Sequence, residues 1–508
     1  MTPTPEQQAI IQAARSSSES LLISAMAGCA KTTSLLMLAK ELPVVPTLAV
    51  AFNVKTKKEL ERKFPKHVET MTLNGLGHRA WARAINRQPK VDTNKVFNTI
   101  KTTLDDMGLK NSNGLWSTVN TLVKGARHAG LVPEPIAQQF SGLVPDEYES
   151  WEAIADAHYM DINDESVWVA RRTLRNLISQ SFQGTLDYDD QIYMSTLFGG
   201  VFPKFATVLV DEAQDLSPLN HIQVSRAVVS RLIVCGDPRQ AIYAFRGADS
   251  SSMESLRGLR DSWLELPLTV TWRCPKAIVA RQQIHALGFT AAPTAPEGEF
   301  HDWTARESWS LADVKSRWPD KHIAILSRNN APIIAAGLRI IRQGIGCTIL
   351  GADIGKSLIT LSKKIFPADD LDAEVCREKI IEWRDKEISL ARANNKEERV
   401  AILHDRAECL LAVANSQNVL TSGQLRDTLV RMFEPSSIAI TLSTGHKAKG
   451  LEWPIVIHLD PWRVPSKFAI KANEAGNPIP LQQDFNLRYV IETRSQQVLI
   501  NANLEAMQ

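Results

Sequence analysis

Short apolar runs alternate with amphipathic helical patterns in two regions of this 508-residue chain, and this alternation constrains the fold more than any other feature. Strands separated by helices form parallel sheets covered by helices on both faces. The sequence therefore predicts an α/β protein with parallel sheets. The predicted strands are LLIS (21–24), TLAVAF (47–52), HVETMTL (67–73), ATVLVDEAQD (206–215, ending in an acidic turn), RLIVCGD (231–237), HIAILSR (322–328), SSIAITLST (436–444), PIVIHL (454–459) and QQVLI (496–500).

Two mainly helical stretches, 86–180 and 352–435, interrupt this rhythm. We interpret each as an insertion into an α/β core, because a chain of this length is too long for a single hydrophobic core. The predicted segments are 1–85 and 181–270 for the first core, with 86–180 inserted, and 271–351 and 436–508 for the second core, with 352–435 inserted. Helices are predicted at 32–40, 54–64 and 331–344, the last closed by a glycine.

Composition excludes several classes of protein. The net charge is only +2, so nucleic-acid binding would need a local basic groove. None of the six cysteines forms a C-x-x-C pair, which argues against a zinc site, an iron–sulfur cluster or a disulfide framework. The first residues lack a signal-peptide pattern, and no run approaches the ~20 apolar residues of a membrane span. We expect a cytoplasmic protein, from a bacterium or a phage-infected cell, with no membrane partner.

The stretch SAMAGCAKTTSLL (24–36) follows a predicted strand and opens a predicted helix. This placement favours a phosphate-binding loop in which Lys31 reaches the β- and γ-phosphates and Thr32 holds Mg²⁺. The pattern G-x-x-x-x-G-K-[ST] calls for glycine where the chain has Ala25 and Ala30. A left-handed Ala30 would cost roughly 1–2 kcal/mol. From this segment alone, a helix that merely begins with lysine is an equally good interpretation.

The stretch VLVDEAQD places Asp211 and Glu212 at the carboxyl end of a strand, where ligands bind in parallel α/β folds. Asp211 would hold Mg²⁺ and Glu212 would deprotonate the attacking water. The alternative is a solvated acidic turn. Because D-E-A-Q-D is a rare sequence, we favour the functional interpretation.

The stretch GDPRQAIYAFRGA (236–248) follows the next strand. Gln240 could sense the γ-phosphate. Tyr243, Phe245 and Arg246 form an aromatic and basic cluster of the kind that stacks bases and pairs phosphates in single-stranded nucleic acid. Two aromatic residues of a hydrophobic core are the alternative.

Two arginines, Arg273 in TWRCP and Arg494 in YVIETR, fall in the second predicted core. An arginine that reaches a transferring phosphoryl group can neutralise the charge that develops there. Taken singly, each arginine fits a surface salt bridge better than this role.

An ordered series of motifs resembles the UvrD/Rep-like branch of superfamily 1 DNA helicases. It runs from Thr4 to Arg494 and omits both insertions: TPEQQAI, AMAGCAKTT, LAVAFNVKTKKEL, TMTLNGLG, LDYDDQI, VDEAQD, VCGDPRQAIYAFRGA, LPLTVTWRCP, IAILSRNN, TLSTGHKAKGLEWPIV and NLRYVIETR. The resemblance implies two RecA-like domains with ATP and Mg²⁺ in the cleft between them. It also implies ATP-driven movement on single-stranded DNA, 3′ to 5′, with tailed duplex DNA as a substrate and replication or recombination proteins as partners.

The resemblance also implies individual roles. Gln7 would read the adenine edge, Trp272 would stack on the base, Glu452 would bond the ribose, and both arginines named above would contact the γ-phosphate. The nucleotide-binding loop would include Ala27, Gly28, Cys29, Ala30, Lys31, Thr32 and Thr33. The DNA contacts would come from Phe52, Asn53, Thr72, Tyr243, Phe245, Arg246, Thr444 and His446.

The chain departs from the family pattern at Ala30, at Thr72-Leu73-Asn74 where the family has T-F-H, and at Asp484 where the family has glutamate. Ala30 could slow ATP turnover. The short second insertion predicts a motor with weak autoinhibition. Two other functions use the same motifs: an ATP-gated protein that displaces DNA-bound proteins without separating strands, and a degenerate ATPase that only scaffolds a complex. RNA is an alternative substrate, because stacking contacts tolerate either sugar.

Overall fold

The computed structural model describes residues 3–51, 53–109, 114–157, 160, 162–242, 252–343, 345–393, 397–434 and 440–508. The chain forms two compact units. Unit 1 holds the chain up to Ala25 together with Ala30–Leu268, and unit 2 holds Met26–Cys29 together with Thr269–Gln508.

Unit 1 is built on a parallel sheet with the strand order β3-β2-β6-β7-β1-β8. Its central strands are almost continuously buried, as expected for a sheet that helices cover on both faces. The strands are β1 (Ser20–Ala25), β2 (Thr47–Ala51), β3 (Val68–Thr72), β6 (Phe205–Val210), β7 (Val228–Gly236) and β8 (Trp263–Leu268).

Helices connect these strands, and several begin at capping residues that the sequence supplies. Thr4 caps the first helix and forms a capping box with Gln7, with Pro5 in the first turn. The helices of this core are α1 (Pro5–Ser16), α2 (Lys31–Ala39), α3 (Val54–Lys63), α4 (Leu73–Ala84), α9 (Tyr188–Leu197), α10 (Pro218–Ala227) and α11 (Ser252–Arg257).

A helical insertion of unit 1 comprises α5 (Lys95–Asp106), α6 (Leu115–Ala129), α7 (Tyr148–Ala157) and α8 (Asp164–Phe182), flanked by the short paired strands β4 (Lys90–Val91) and β5 (Thr185–Leu186). The fully buried rings of Trp81 and Trp151 belong to its hydrophobic core. Lys95 donates to Asp190 at 2.6 Å, and Arg127 donates to Asp190 at 3.0 Å. These buried ion pairs attach the insertion to the start of α9.

Unit 2 contains a second parallel sheet with the order β11-β16-β15-β12-β14-β13. Its strands are β11 (Glu299–Asp302), β12 (Ile323–Ser327), β13 (Thr348–Ile349), β14 (Ile440–Thr444), β15 (Trp453–Leu459) and β16 (Ser495–Ala502), and a separate pair joins β9 (Val270–Thr271) and β10 (Thr290–Ala291). Its helices are α12 (Lys276–Gln282), α13 (Leu311–Arg317), α14 (Asn330–Arg342), α19 (Gly445–Ala448), α20 (Lys467–Glu474) and α21 (Ile479–Glu492). The glycine expected to close α14, Gly344, lies outside the described residues.

The second insertion comprises α15 (Ala352–Ile365), α16 (Ala373–Ala393), α17 (Glu397–Ala414) and α18 (Ser422–Met432). It shares a hydrophobic core with the sheet, because Leu410 and Val413 of α17 cluster with Ile325 of β12. Asp405 of α17 also accepts the N–H groups of Asn330 and Ala331, at 3.2 and 3.0 Å, and so caps α14. Deleting 352–435 would therefore expose the core of unit 2 and uncap one of its helices.

Candidate functional site

The loop between β1 and α2 carries two residues with left-handed backbone. Gly28 has φ 71°, and Ala30, which immediately precedes α2, has φ 56° and ψ 41°. Glycine adopts this conformation freely, whereas the Cβ of Ala30 makes it cost roughly 1–2 kcal/mol. The backbone thus takes the turn that a phosphate-binding loop requires, with strain at Ala30. Thr33, in the first turn of α2, is exposed.

Lys31 begins α2 and is surrounded by acids of unit 1. Its Nζ lies 3.5 Å from Oε1 of Glu212, and its side chain is only 10% exposed. Burial lowers the pKa of Lys31, but the carboxylates of Glu212, Asp237 and Asp211 together raise it above its usual range. The helix N-terminus and this ammonium group therefore offer a fixed positive site for an anion.

Thr32 and Asp211 bring two oxygen ligands together. The Thr32 hydroxyl donates to Oδ2 of Asp211 at 2.6 Å, and the N–H of Glu212 donates to Oδ1 at 2.9 Å. Burial and then the neighbouring Glu212 carboxylate raise the pKa of Asp211 to about 6. A hydroxyl and a carboxylate are ligands that Mg²⁺ accepts, so this donor set fits the ion that the resemblance implies.

Glu212 adopts left-handed backbone with φ 51°, which is uncommon for a residue with a Cβ. Its Oε2 accepts a hydrogen bond from Nε2 of Gln214 at 2.7 Å, while Oε1 of Gln214 accepts the N–H of Asp237 at 2.9 Å. Sequence reasoning did not single out Gln214. Gln214 is part of the motif D-E-A-Q-D. Its position beside the loop after β7 depends on β6 and β7 being neighbours in the sheet, which the sequence does not show.

Gln240 is buried at the end of a short 3₁₀ helix, Pro238–Gln240, that Asp237 caps. The amide of Gln240 donates to Oδ2 of Asp237 at 2.7 Å, and the N–H of Arg239 donates to Oδ1 at 3.1 Å. Burial raises the pKa of Asp237. Sequence reasoning also missed Asp237, which both holds Gln240 and contributes negative charge around Lys31.

Gln7 is buried beside α2. Its amide nitrogen donates to Oγ of Ser34 at 3.0 Å, and its amide oxygen accepts the N–H of Thr4 at 3.0 Å. These bonds fix the orientation of the amide group that is predicted to read an adenine edge.

Unit 2 brings the two predicted arginine fingers close to each other. Arg273 forms a short ion pair with Glu452, whose other carboxylate oxygen accepts from Gln496 at 2.9 Å. Arg494 is 1% exposed and donates to the carbonyls of Val490 and Leu451, at 2.9 and 3.3 Å. Burial and then the neighbouring Arg273 charge lower the pKa of Arg494 to about 10.

The segment Met26–Cys29 belongs to unit 2 and contacts the arginine-bearing segments there. The N–H of Trp272 donates to the carbonyl of Gly28 at 2.9 Å, and the N–H of Ala27 donates to the Tyr489 hydroxyl at 2.8 Å. A Cβ on Gly28 would lie 2.6 Å from Cβ of Arg273. Only glycine fits this close approach without displacing the backbone. Ala27 and Cys29 are buried, and the Trp272 ring is partly exposed.

The described DNA-contact candidates lie at the carboxyl edges of the sheets. In unit 1, Asn53 follows β2 and caps α3, and Thr72 ends the neighbouring β3 and caps α4. In unit 2, Thr444 ends β14, and His446 lies in the helix that follows. Phe52, Tyr243, Phe245 and Arg246 lie outside the described residues.

The Thr72-Leu73-Asn74 departure has a local structural consequence. The side-chain amide of Asn74 donates to the carbonyl of Tyr188 at 2.6 Å and so links α4 to the start of α9. Asn74, which stands where the family has histidine, therefore connects two helices.

One unit carries a lysine, a threonine and two acids around the loop between β1 and α2, and the other carries two neighbouring arginines. Two such units, each built on a parallel sheet, are typical of the RecA-like class of nucleotide-binding proteins. The chain matches the UvrD/REP helicase N-terminal domain over residues 4–259, and it belongs to the UvrD/REP helicase family. The predicted fold class is confirmed.

Named relatives agree with this assignment. The chain is 25% identical to F-box DNA helicase protein 1 of Schizosaccharomyces pombe over 98% of its own length and 57% of the relative's. It is 30% identical to the RecBCD enzyme subunit RecB of Mycolicibacterium smegmatis over 37% of this chain and 18% of that subunit. The chain thus spans little more than half of one relative and under a fifth of the other. In the described part of the chain, no helix is long and apolar enough to cross a membrane.

Proposed function

We propose that this protein is an ATP-dependent DNA helicase that moves along single-stranded DNA, 3′ to 5′ as the family resemblance implies. The observation that carries the proposal is the group formed in unit 1 by Lys31, Thr32, Asp211 and Glu212. Family membership and a relative that is named a DNA helicase support strand separation as the outcome of ATP hydrolysis.

In this proposal, Lys31 and the first N–H groups of α2 bind the phosphates of ATP. Lys31 remains protonated at every physiological pH because the surrounding carboxylates raise its pKa. Its low exposure also keeps water from competing for the phosphate, so its attraction to phosphate is stronger than that of a surface lysine.

Thr32 and Asp211 would hold Mg²⁺, which when bound offsets the negative charge of the phosphates. In the part of the chain that the structure describes, no group of three or more His, Cys, Asp and Glu side chains could form an all-protein metal site. An ion held by Thr32 and Asp211 would therefore need phosphate and water oxygens to complete its shell, which is the usual way proteins bind Mg²⁺.

Glu212 would act as the general base. A phosphate that binds Lys31 would compete for the ammonium group that now lies 3.5 Å from the Glu212 carboxylate. The Glu212 carboxylate would then accept a proton from water, while Gln214 keeps its side chain in place through the 2.7 Å bond. The Gln240 amide, held by Asp237, would orient the γ-phosphate.

The arginines of unit 2 would contact the same nucleotide, as the resemblance implies. Arg494 supports this role because the donors described above reach backbone carbonyls rather than a carboxylate, which leaves its charge unneutralised. The Arg273–Glu452 pair would separate or tilt when Glu452 bonds the ribose. We assign 1–85 and 181–270 to the first RecA-like domain and 271–351 and 436–508 to the second.

The test measures ATP turnover without polymer, with single-stranded DNA and with RNA, and then unwinding of a tailed duplex. We expect DNA to stimulate turnover and the duplex to separate. Lys31→Ala should abolish both activities, whereas Lys40→Ala, at the exposed end of the same helix, should preserve them. Wild-type turnover in the Lys31 variant would refute the assignment, and turnover without strand separation would favour the protein-displacing alternative.

A further inference from the structure

The turn that follows β15 holds a large aromatic side chain in solvent. Trp462 lies in the 3₁₀ helix Pro461–Arg463 and is 61% exposed, more than any other tryptophan in the described chain. An exposed indole gains nothing from the hydrophobic core, because burial is what makes an aromatic side chain stabilising. Its ring is therefore available to a ligand.

The backbone around Trp462 is held firmly on both sides. Asp460, with left-handed φ 52°, accepts the N–H of Leu504 on Oδ1 at 2.8 Å. On the other side, Arg488 donates to the carbonyl of Val464 at 2.8 Å and to that of Pro461 at 3.4 Å. The turn thus presents its indole from a fixed backbone, which lowers the entropic cost of binding a ligand.

One face of the ring is already covered. The guanidinium carbon of Arg463 lies 4.6 Å from the centre of the Trp462 ring, and Nε of Arg463 donates to Oδ2 of Asp460 at 3.0 Å. This cation–π contact fixes the plane of the indole. The exposed area of the ring is then available for a flat aromatic ligand, which would stack on it as bases stack on aromatic side chains in single-strand-binding proteins.

The turn lies at the carboxyl edge of the unit 2 sheet, where the predicted DNA contacts Thr444 and His446 also lie. In the parallel register, Ser327 of β12 pairs with Thr444 of β14, and Leu326 pairs with His458 of β15, so these three strands end at one level. Arg328, which follows β12, donates to Ser466 just beyond the turn at 3.2 Å. Ligands of parallel α/β sheets bind at this carboxyl edge.

The helix after the turn adds positive charge. Ser466 caps α20, and the exposed residues Lys467, Ile470 and Lys471 follow at helical spacing on one face. Two lysines one turn apart, close in sequence to an exposed indole, combine the two features that bind single-stranded nucleic acid: a base platform and charge for the backbone phosphates.

We propose that Trp462 is a stacking platform for one base of single-stranded nucleic acid, with Lys467 and Lys471 contacting its phosphates; this inference rests on the proposed function. The platform belongs to the turn after β15, so it is separate from Thr444 and His446. Because every base has a flat aromatic face, the contact does not depend on sequence, as a translocating protein requires.

The test compares the affinity of the full chain for a fluorescent oligothymidylate strand in wild type, Trp462→Leu and Trp462→Phe. Leucine keeps apolar area but has no aromatic face, whereas phenylalanine keeps the face. We expect Trp462→Leu to raise Kd about tenfold and Trp462→Phe to stay within about threefold of wild type. Thermal unfolding of each variant should match wild type, since the side chain is exposed.

A strand of abasic sites supplies the second arm. The difference between wild type and Trp462→Leu should disappear on this strand, because it retains phosphates and lacks bases. Equal Kd values for wild type and Trp462→Leu on the thymidylate strand would overturn the proposal. So would a leucine defect that persists on the abasic strand. Wild type that fails to bind either strand would instead refute the proposed function.

Discussion

The two units treat their key cations in opposite ways. In unit 1, carboxylates surround Lys31, and together they raise its pKa. In unit 2, Arg494 is more deeply buried than Lys31, and its donors reach two carbonyls and the Thr493 hydroxyl. Burial and then the nearby Arg273 charge lower its pKa to about 10. One cation is neutralised by its own unit, and the other is left with excess positive charge.

This difference indicates that the two units have different roles. Lys31 needs no ligand to offset its charge, because carboxylates of its own unit surround it. Under the proposed function, this cluster also contains the acid ligand and the base that hydrolysis needs. An unbalanced buried guanidinium is costly, and an anion reduces that cost. Unit 2 is therefore the unit whose stability should respond most strongly to a phosphate group, which suits a sensor of nucleotide state.

Among variants of unit 2, the largest effect should come from removing the unbalanced charge. Arg494→Gln should lower kcat for ATP by about 10³-fold, the lower end of what an arginine contributes to phosphoryl transfer. Steady-state turnover and nucleotide affinity measure this effect, with Arg317→Gln as a control on the surface of the same unit. A folded Arg494→Gln protein with wild-type kcat would remove the proposed distinction between the units.

A second test uses a buried histidine of unit 2. His458 of β15 is fully buried, neither ring nitrogen has a hydrogen-bond partner among the described residues, and burial lowers its pKa to about 4. Between pH 6.5 and 4 the unfolded chain binds a proton that the folded chain does not, so stability falls as the pH falls. Over this pH range the free energy of unfolding falls by about 3 kcal/mol.

His458→Leu should remove this part of the acid destabilisation. The difference in Tm between the variant and wild type, followed from pH 7 to pH 4, should shift progressively in favour of the variant. Parallel Tm curves would show that His458 does not set the acid sensitivity of unit 2.

Within the two six-stranded sheets, the strands that sequence reasoning missed have one property in common. β8, β11 and β13 are all edge strands, at one end of the first sheet and at both ends of the second. An edge strand has one neighbour and more exposed residues, so its apolar pattern is weak. Trp263–Leu268 contains a glutamate and a proline, and Glu299–Asp302 is mostly polar. The central strands were predictable because both of their faces are buried.

A similar limit applies to the site. The sequence could indicate Lys31 and Glu212 because each follows a predicted strand within a recognisable motif, although their roles remain predictions. It could not indicate Gln214 and Asp237 as partners, because their 2.9 Å bond depends on β6 lying beside β7. Strand order is a property of the folded sheet, and no local pattern encodes it.

Gln214 provides a smaller test of unit 1. Gln214→Ala should remove the bonds that position Glu212 and the loop at Asp237, and so lower kcat about tenfold while nucleotide affinity changes little. The separation of kcat from KM distinguishes positioning from binding. Gln12→Ala, at an exposed position of α1, is the matched control. A change confined to KM would contradict a positioning role.

The smallest effect concerns the strained loop. Ala30→Gly relieves a left-handed conformation worth roughly 1–2 kcal/mol, but glycine costs about 0.5–1 kcal/mol in the unfolded chain. Tm should therefore rise by about 1–2 °C. Ala27→Gly, at a buried neighbour without positive φ, should lower Tm. A lower Tm for Ala30→Gly would show that Ala30 is not strained.

The central claim is that the cluster of unit 1 carries out ATP hydrolysis with Glu212 as its base. The most direct measurement is DNA-stimulated ATP turnover by Glu212→Gln, together with its affinity for ATP. We predict that kcat falls by about 10²- to 10⁴-fold while ATP binding is retained, because the amide keeps the shape of the side chain and cannot accept the proton. Wild-type kcat in this variant would contradict the account.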